Sequence, residues 1–402
     1  MLLPILLLSA AGFTVLTTEF VIVGLLPAVA RDLNVTVSQA GLLVTLFAFT
    51  VAAFGPFLTA YFSRFERKRL FVSILVLFGF ANVLAALAPN IAVMGIARLI
   101  PALGLPVFWA LASETAVDIV GPQFAGRAIA RIGFGIVCAT VFGIPIGTLI
   151  SDAFGWRTAF LVLAALAFAK ALLLTVYLPK TAARQNPVSI LKQFGILRSR
   201  MMQGHVLLSV LVFSGMFTAY TYLADMLERL AGFDGALVGW CLMGFGAVGL
   251  LGNSLGGRMG MGFGAVGLLG NSLGGRMVDR HPLIASLVFC AFMVIGMVAV
   301  VPSIHSVVAL PLALAVWGIT QAALFLVSHV RLIKAAPQAP AFAASLNIAG
   351  ANLGIGIGAV IGGRVIDHLG LGHVGFAAAG IIVLAIVLAL LLIKRDPGPL
   401  PA

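Results

Sequence analysis

Residues 243–259 read MGFGAVGLLGNSLGGRM, and residues 261–277 repeat them letter for letter. Each copy holds GFGAVG, a literal match to the G-x-G-x-x-G fingerprint of dinucleotide-binding folds. How that string is read decides the fold. As a nucleotide loop it requires a strand before it, a helix after it and an acidic residue about 20 positions on, all within a soluble βαβ unit. As part of a membrane helix it requires only apolar neighbours, its small residues letting helix backbones approach closely in lipid.

The surroundings select the second reading. Of the 402 residues, 62% are hydrophobic and only 9% charged, whereas an ordinary soluble domain carries roughly 25% charged residues. Mean hydropathy is +1.18. Apolar runs of about 18 residues or more, enough to cross the hydrocarbon core, recur from end to end. The chain reads as an all-α polytopic membrane protein, and the fingerprint fails its context because it lies inside a span.

Spans are expected near 4–28, 39–61, 70–89, 92–116, 130–151, 158–179, 206–226, 236–257, 283–302, 307–329, 342–363 and 374–393. These are twelve transmembrane helices, divided by the polar segment Lys180 to Arg200. The expected organisation is a first six-helix bundle over 1–180, a central loop over 181–203 and a second six-helix bundle over 204–402.

The net charge of +12 is not pooled on one face, which argues against a nucleic-acid surface. Arg64, Arg67, Lys68 and Arg69 follow the second span, Arg127 and Arg131 the fourth, and Lys180, Arg184, Lys192, Arg198 and Arg200 the sixth. Arg276 and Arg280 follow the eighth, Arg331 and Lys334 the tenth, and Lys394 and Arg395 the twelfth. This alternation places both termini and the central loop in the cytoplasm. Cys138, Cys241 and Cys290 all lie in apolar runs, with no disulfide framework or metal spacing. The first apolar run carries Glu19 and reaches full spanning length, unlike a cleavable signal peptide.

Glu19 is the sharpest functional signal. A carboxyl inside the hydrocarbon zone is costly and usually faces protein or a water-filled path. At 1.5 Å per residue it lies roughly 12 Å below the outer end of the first helix, and Arg98 lies roughly 9 Å below the outer end of the fourth. Burial favours the neutral form of a carboxyl and a nearby guanidinium favours the anion, so a change of hydration can load or release a proton. A static ion pair bracing two helices is the structural alternative. Glu114, near the cytoplasmic end of the fourth helix, reads as a carboxyl that snorkels to water. Lys170, in the sixth, reads as a lysine at the lipid edge. The two halves echo one another: GPFLTAYFSRFERKR follows the second helix and GNSLGGRMVDR the eighth. Parallel repeats of this kind place a substrate site between the halves near the midplane.

Several stretches together resemble the major facilitator superfamily: TTEFVIVGLLPAVARDL, SRFERKR, ARLIPALGLPVFWALAS, FGIPIGTLI with FGWRTAF, GNSLGGRMVDR and SLNIAGANLGIGIGAVIGG. Within it they are similar to the drug:proton antiporter branch that includes bacterial arabinose and sugar efflux permeases. The chain departs from that pattern in places. The loop after the second helix has Ser63 where the family has an acid and Glu66 where it has a glycine, and Leu105 and Pro106 stand where efflux permeases often have His-Gly.

The resemblance implies a twelve-helix major facilitator fold in a bacterial inner membrane, working as a monomer without cofactor or metal. It implies secondary active transport by alternating access, namely proton-coupled efflux of a small organic compound, a sugar or a drug-like molecule. Glu19 and Arg98 would couple to protons across the cavity that the first and fourth helices line. Candidate substrate contacts are Thr17, Thr18, Phe108, Trp109, Tyr220, Tyr222, Trp317, Gln321, Asn347 and Asn352. Candidate gating elements are Arg64, Arg67 and Lys68, the exporter-like Gly143, Pro145 and Gly147, and Asp279 with Arg280. Proton-coupled uptake is the alternative within transport. A membrane protein disabled by its doubled segment is the alternative outside it. No nucleophile, base and orienter set points to catalysis.

The doubling has a period of 18 residues, which is five helical turns or about 27 Å. One continuous eighth helix would be too long for a single crossing. A thirteenth span would place Arg331, Lys334, Lys394 and Arg395 outside. Distortion around 243–277 is expected, with Arg258 at the end of the first copy resisting lipid.

Overall fold

The computed structural model describes residues 2–121, 124–179, 198–256, 281–336 and 340–395. Lys180, Arg184, Lys192, Arg258, the second copy at 261–277, Arg276, Asp279 and Arg280 lie outside the described residues. Among those described there is no strand, and twelve helices are long and apolar enough to cross a membrane.

The chain divides into two compact units, Met1–Ile190 with Phe233–Met243, and Leu191–Gly232 with Gly244–Ala402. The first holds α1 (Leu2–Asp32), α2 (Val37–Phe62), α3 (Arg67–Ala86), α4 (Ile91–Val120), α5 (Ala125–Cys138), α6 (Ile144–Phe154) and α7 (Trp156–Tyr177). A π-helical turn at Ala139–Gly143 joins α5 to α6. The second holds α8 (Arg200–Tyr220), α9 (Leu223–Arg229), α11 (Pro282–Val300), α12 (Ala309–Ala335), α13 (Pro340–Leu369) and α14 (Val374–Arg395), while α10 (Gly235–Gly256) is shared between the units.

Local chemistry sets the helix ends. Thr36 caps α2 in a reciprocal capping box, accepting from the Gln39 amide at 3.1 Å while Gln39 accepts from its own at 3.0 Å. Glu66 caps α3 by accepting from the amides of Lys68 and Arg69, and Asn90 caps α4 through Val93. Each cap satisfies amides that the first helical turn leaves without partners. Gly121, Gly155 and Gly370 end their helices at φ of 84–89°, a region side chains rarely adopt.

Within each unit, helices meet where side chains vanish. In the first, a Cβ on Gly143 would stand 2.3 Å from Thr17 Oγ1 and one on Gly147 2.4 Å from Val21. In the second, Gly354, Gly358 and Gly362 lie one turn apart on α13. Added Cβ atoms there would stand 2.5, 2.4 and 2.3 Å from the carbonyl oxygens of Val210, Ser214 and Thr218 on α8. This spacing is the small-residue stripe that lets backbones touch in lipid.

The structure revises several boundaries. The seventh span is interrupted at Thr221 and Tyr222 between α8 and α9, where Tyr222 Oη donates to Ala359 O at 2.7 Å. The tenth runs on to Ala335, so Arg331 is a helical residue only 1% exposed, not a loop cation. The helix continues because nothing breaks it before Pro337, the next proline in the sequence.

Candidate functional site

Glu19 sits in the body of α1 and is 8% exposed, while Arg98 on α4 is 1% exposed. Arg98 Nη2 donates to the backbone carbonyl of Glu19 at 2.5 Å and Nη1 to the carbonyl of Thr18. Its guanidinium carbon lies 4.6 Å from the centroid of the Phe47 ring on α2, a cation–π position. The arginine therefore grips the α1 backbone. Among the described residues no ion pair joins it to the Glu19 carboxylate, although the two groups are in electrostatic contact. The Thr18 hydroxyl accepts from Asn82 on α3 at 3.2 Å, so three helices converge on this turn of α1.

Arg67 opens α3 and is 1% exposed. It donates to Ser63 O at 2.8 Å and to the Glu114 carboxylate at 3.1 Å. The Ser63 carbonyl and the carboxylate of α4 together hold the arginine. Glu114 is an ion-pair partner, which corrects its reading as a carboxyl reaching only for water. Arg64 lies over Tyr61 at 5.6 Å, and Lys68 is held through its backbone by the Glu66 cap.

The stretch from Gly143 to Gly147 packs on the same helix as Glu19. Pro145 has no N–H to donate four residues back, and the π-helical turn precedes it. Gly143 seats Thr17, whose buried hydroxyl oxygen has no hydrogen-bond partner. Phe108 is fully buried against Phe71 and Trp109, and Trp109 covers Gly12.

In the second unit, Tyr220 stacks on Phe245 at 5.4 Å and meets Trp317 edge-on at 6.5 Å. Trp317 Nε1 donates to Gln321 Oε1 at 2.9 Å. Asn347 Oδ1 accepts from Ser209 at 3.1 Å, and Asn352 donates to Ile348 O at 3.1 Å while its buried Oδ1 has no partner. Tyr222 is committed to Ala359. An open groove of about 860 Å³ lies between α2 and α4, lined by Gln39, Leu43, Thr50, Gly95 and Leu99 among others. None of the candidate side chains lines it.

Two polar clusters escaped the sequence reading. Asp32, ending α1, accepts from Trp156 Nε1 at 3.2 Å and pairs with Arg157, which also donates to Ala88 O at 3.2 Å. This ties the ends of α1, α3 and α7, and the RDL and GWR stretches were its only signals. In the second unit Arg331 on α12 donates to His205 O and Ser209 Oγ, each at 2.8 Å, and to His205 Nδ1 at 3.1 Å. Carrying the tenth helix as far as Pro337 would have exposed that signal. Lys170 is half-buried.

Comparison with known proteins places this architecture. The profile described as Major Facilitator Superfamily matches residues 8–262 and 259–402, dividing inside the doubled stretch. The chain is 30% identical to the uncharacterized MFS-type transporter YtbD of Bacillus subtilis (strain 168), over 98% of this chain and 96% of that one. It is 29% identical to the inner membrane transport protein YdhP of Escherichia coli (strain K12), over 98% and 97%. In fold it is similar to a bacterial homolog of the human lysosomal transporter Spinster in an inward-facing, unoccupied conformation. That likeness has a TM-score of 0.76 and 16% identity, covering 99% of this chain and 98% of the other. The nucleoside transporter NupG (D323A mutant) follows at 0.74 and 16%, covering 97% and 99%. Family and relatives alike are transporters, not enzymes, and the chain is a multi-pass membrane transporter that belongs to the Major Facilitator Superfamily.

Proposed function

We propose that the protein exports a small organic compound, a sugar or a drug-like molecule, in exchange for protons by alternating access. The observation that carries this reading is the buried carboxyl of Glu19 on a turn of α1 gripped by Arg98. Glu19 is the proton carrier. Arg98 modulates it through its charge and through the backbone it holds, so movement of α4 against α1 changes both the hydration and the field at the carboxyl. Thr17, Thr18, Phe108 and Trp109 in the first unit, and Tyr220, Trp317, Gln321, Asn347 and Asn352 in the second, supply the few polar and aromatic contacts of a largely apolar site. The π-helical turn before Pro145, in the stretch that packs on Thr17, supports export. The Arg67–Glu114 pair stabilises one access state. The protein works as a monomer in a bacterial inner membrane, with cytoplasmic termini favoured by the Arg64–Arg69 and Lys394–Arg395 clusters.

The test is proton movement by purified protein in liposomes under an imposed pH gradient, across a panel of sugars and lipophilic drugs. Ligand-dependent proton flux in the wild type should fall at least about tenfold in Glu19→Gln, equivalent to roughly 1.4 kcal/mol of lost coupling. Flux that persists in Glu19→Gln would remove Glu19 as carrier. Counterflow in inverted vesicles separates export from uptake.

A further inference from the structure

Arg331 is a buried cation without a counter-ion among the described residues. It is 1% exposed, and among the described residues it forms no ion pair. Its acceptors are neutral: His205 O, Ser209 Oγ and His205 Nδ1, while Nε is buried without a partner. A guanidinium has donors only. A hydrogen bond at this contact requires Nδ1 of His205 to accept, which assigns the ring the neutral tautomer with its proton on Nε2. To become an imidazolium, this ring must take its second proton on Nδ1. That is the lone pair that holds Arg331.

We propose that His205 is a proton-binding site separate from Glu19, where a proton and Arg331 compete for the Nδ1 lone pair, so that protonation unties α8 from α12. Proton binding would otherwise leave two cations 3.1 Å apart in a buried site. The contact must open. Ser209 Oγ, which accepts from Arg331 Nη2 and donates to Asn347 on α13, extends the effect to a third helix.

Arg331 is the charged group in electrostatic contact with the ring. Of the other helices packed on α8, α13 contributes the neutral Asn347, and α14 contributes Leu392 against Gly204. Cys290 of α11 is in electrostatic contact with Arg331. His205 lies five residues into α8 and Arg331 four from the end of α12. Each is thus only about 6–8 Å along its axis from a helix end, within reach of water when the bundle end loosens.

The experiment uses full-length protein in liposomes, ¹⁵N-labelled at histidine, with the His205 signals identified by their loss in His205→Asn. Nitroxides on Leu207 of α8 and Phe325 of α12, both exposed, report the separation in a background with Cys138, Cys241 and Cys290 replaced by alanine. At about pH 8 the ring should show the Nε2–H tautomer. On acidification to about pH 3 it should become imidazolium, with the label separation shifting together with it by roughly 1–2 Å. In His205→Asn, whose Oδ1 can replace Nδ1 as acceptor, the separation should no longer depend on pH. Glu19→Gln should leave the shift intact, so failure of the Glu19 reading would not imitate failure here. An Nδ1–H tautomer, a ring that stays neutral across this range, or a separation shift that survives in His205→Asn would each overturn the proposal.

Discussion

Arg98 and Arg331 do similar mechanical work in different electrical settings. Each is 1% exposed, and each rises from a later helix of its unit to grip the backbone of that unit's opening helix, α1 or α8. Arg98 stands beside a carboxylate and an aromatic face, near the start of α4. Arg331 stands among neutral acceptors, near the end of α12. A buried guanidinium bound to backbone carbonyls keeps those acceptors wherever the proton resides. One bound to a ring nitrogen depends on a lone pair that a proton can take away. Similar side chains in similar roles thus yield a fixed clamp in one unit and a conditional tie in the other.

The comparison is most exposed to failure at Arg98. Arg98→Met removes a cation–π contact and two carbonyl bonds, and leaves Glu19 as a buried carboxyl without its neighbour. A loss of about 3–5 kcal/mol is expected from two hydrogen bonds of a charged donor, measured by denaturant unfolding in mixed micelles. Arg331→Met should cost less, about 1–2 kcal/mol, because His205, Ser209 and Asn347 can bond to one another. Equal costs would dissolve the distinction between the two arginines.

The helix contacts sharpen the same contrast. Gly358→Ala drives a Cβ toward the Ser214 carbonyl, which cannot yield without moving α8, and should cost about 2–3 kcal/mol. Gly147→Ala meets the end of Val21, a side chain, and should cost about 1 kcal/mol. Thermal midpoints in detergent rank the two, and a reversed order would mean that α8 and α13 are less tightly seated than α1 and α6. The smallest effect is expected from Tyr222→Phe, which deletes one hydroxyl bond to a helical carbonyl. Interhelical hydrogen bonds in membranes average about 0.6 kcal/mol.

The fold was largely legible before any coordinates. GFGAVG could be assigned to a membrane helix, and twelve spans counted, because hydropathy sums along the chain and needs no partner. The candidate site was legible only in part. Glu19 and Arg98 could be placed at similar depths from residue counts, but the atoms that Arg98 binds could not. Glu114 read as a solitary snorkelling carboxyl because Arg67, its partner, lies 47 positions away. Arg331 read as a loop cation because its charge lowered the local hydropathy, although the helix had no reason to stop there.

By itself, then, the sequence determined a polytopic helical membrane protein of two halves, the caps that start α2, α3 and α4, and the glycine stripe on α13. Those depend on residues within a turn or two of one another, or on composition summed over a span. The tertiary structure alone decided that Arg98 grips carbonyls, that Arg67 answers Glu114, and that His205 and Arg331, 126 positions apart, share a lone pair. Such bonds are fixed by which helix faces meet, and a pattern read along one chain carries no information about the helix opposite.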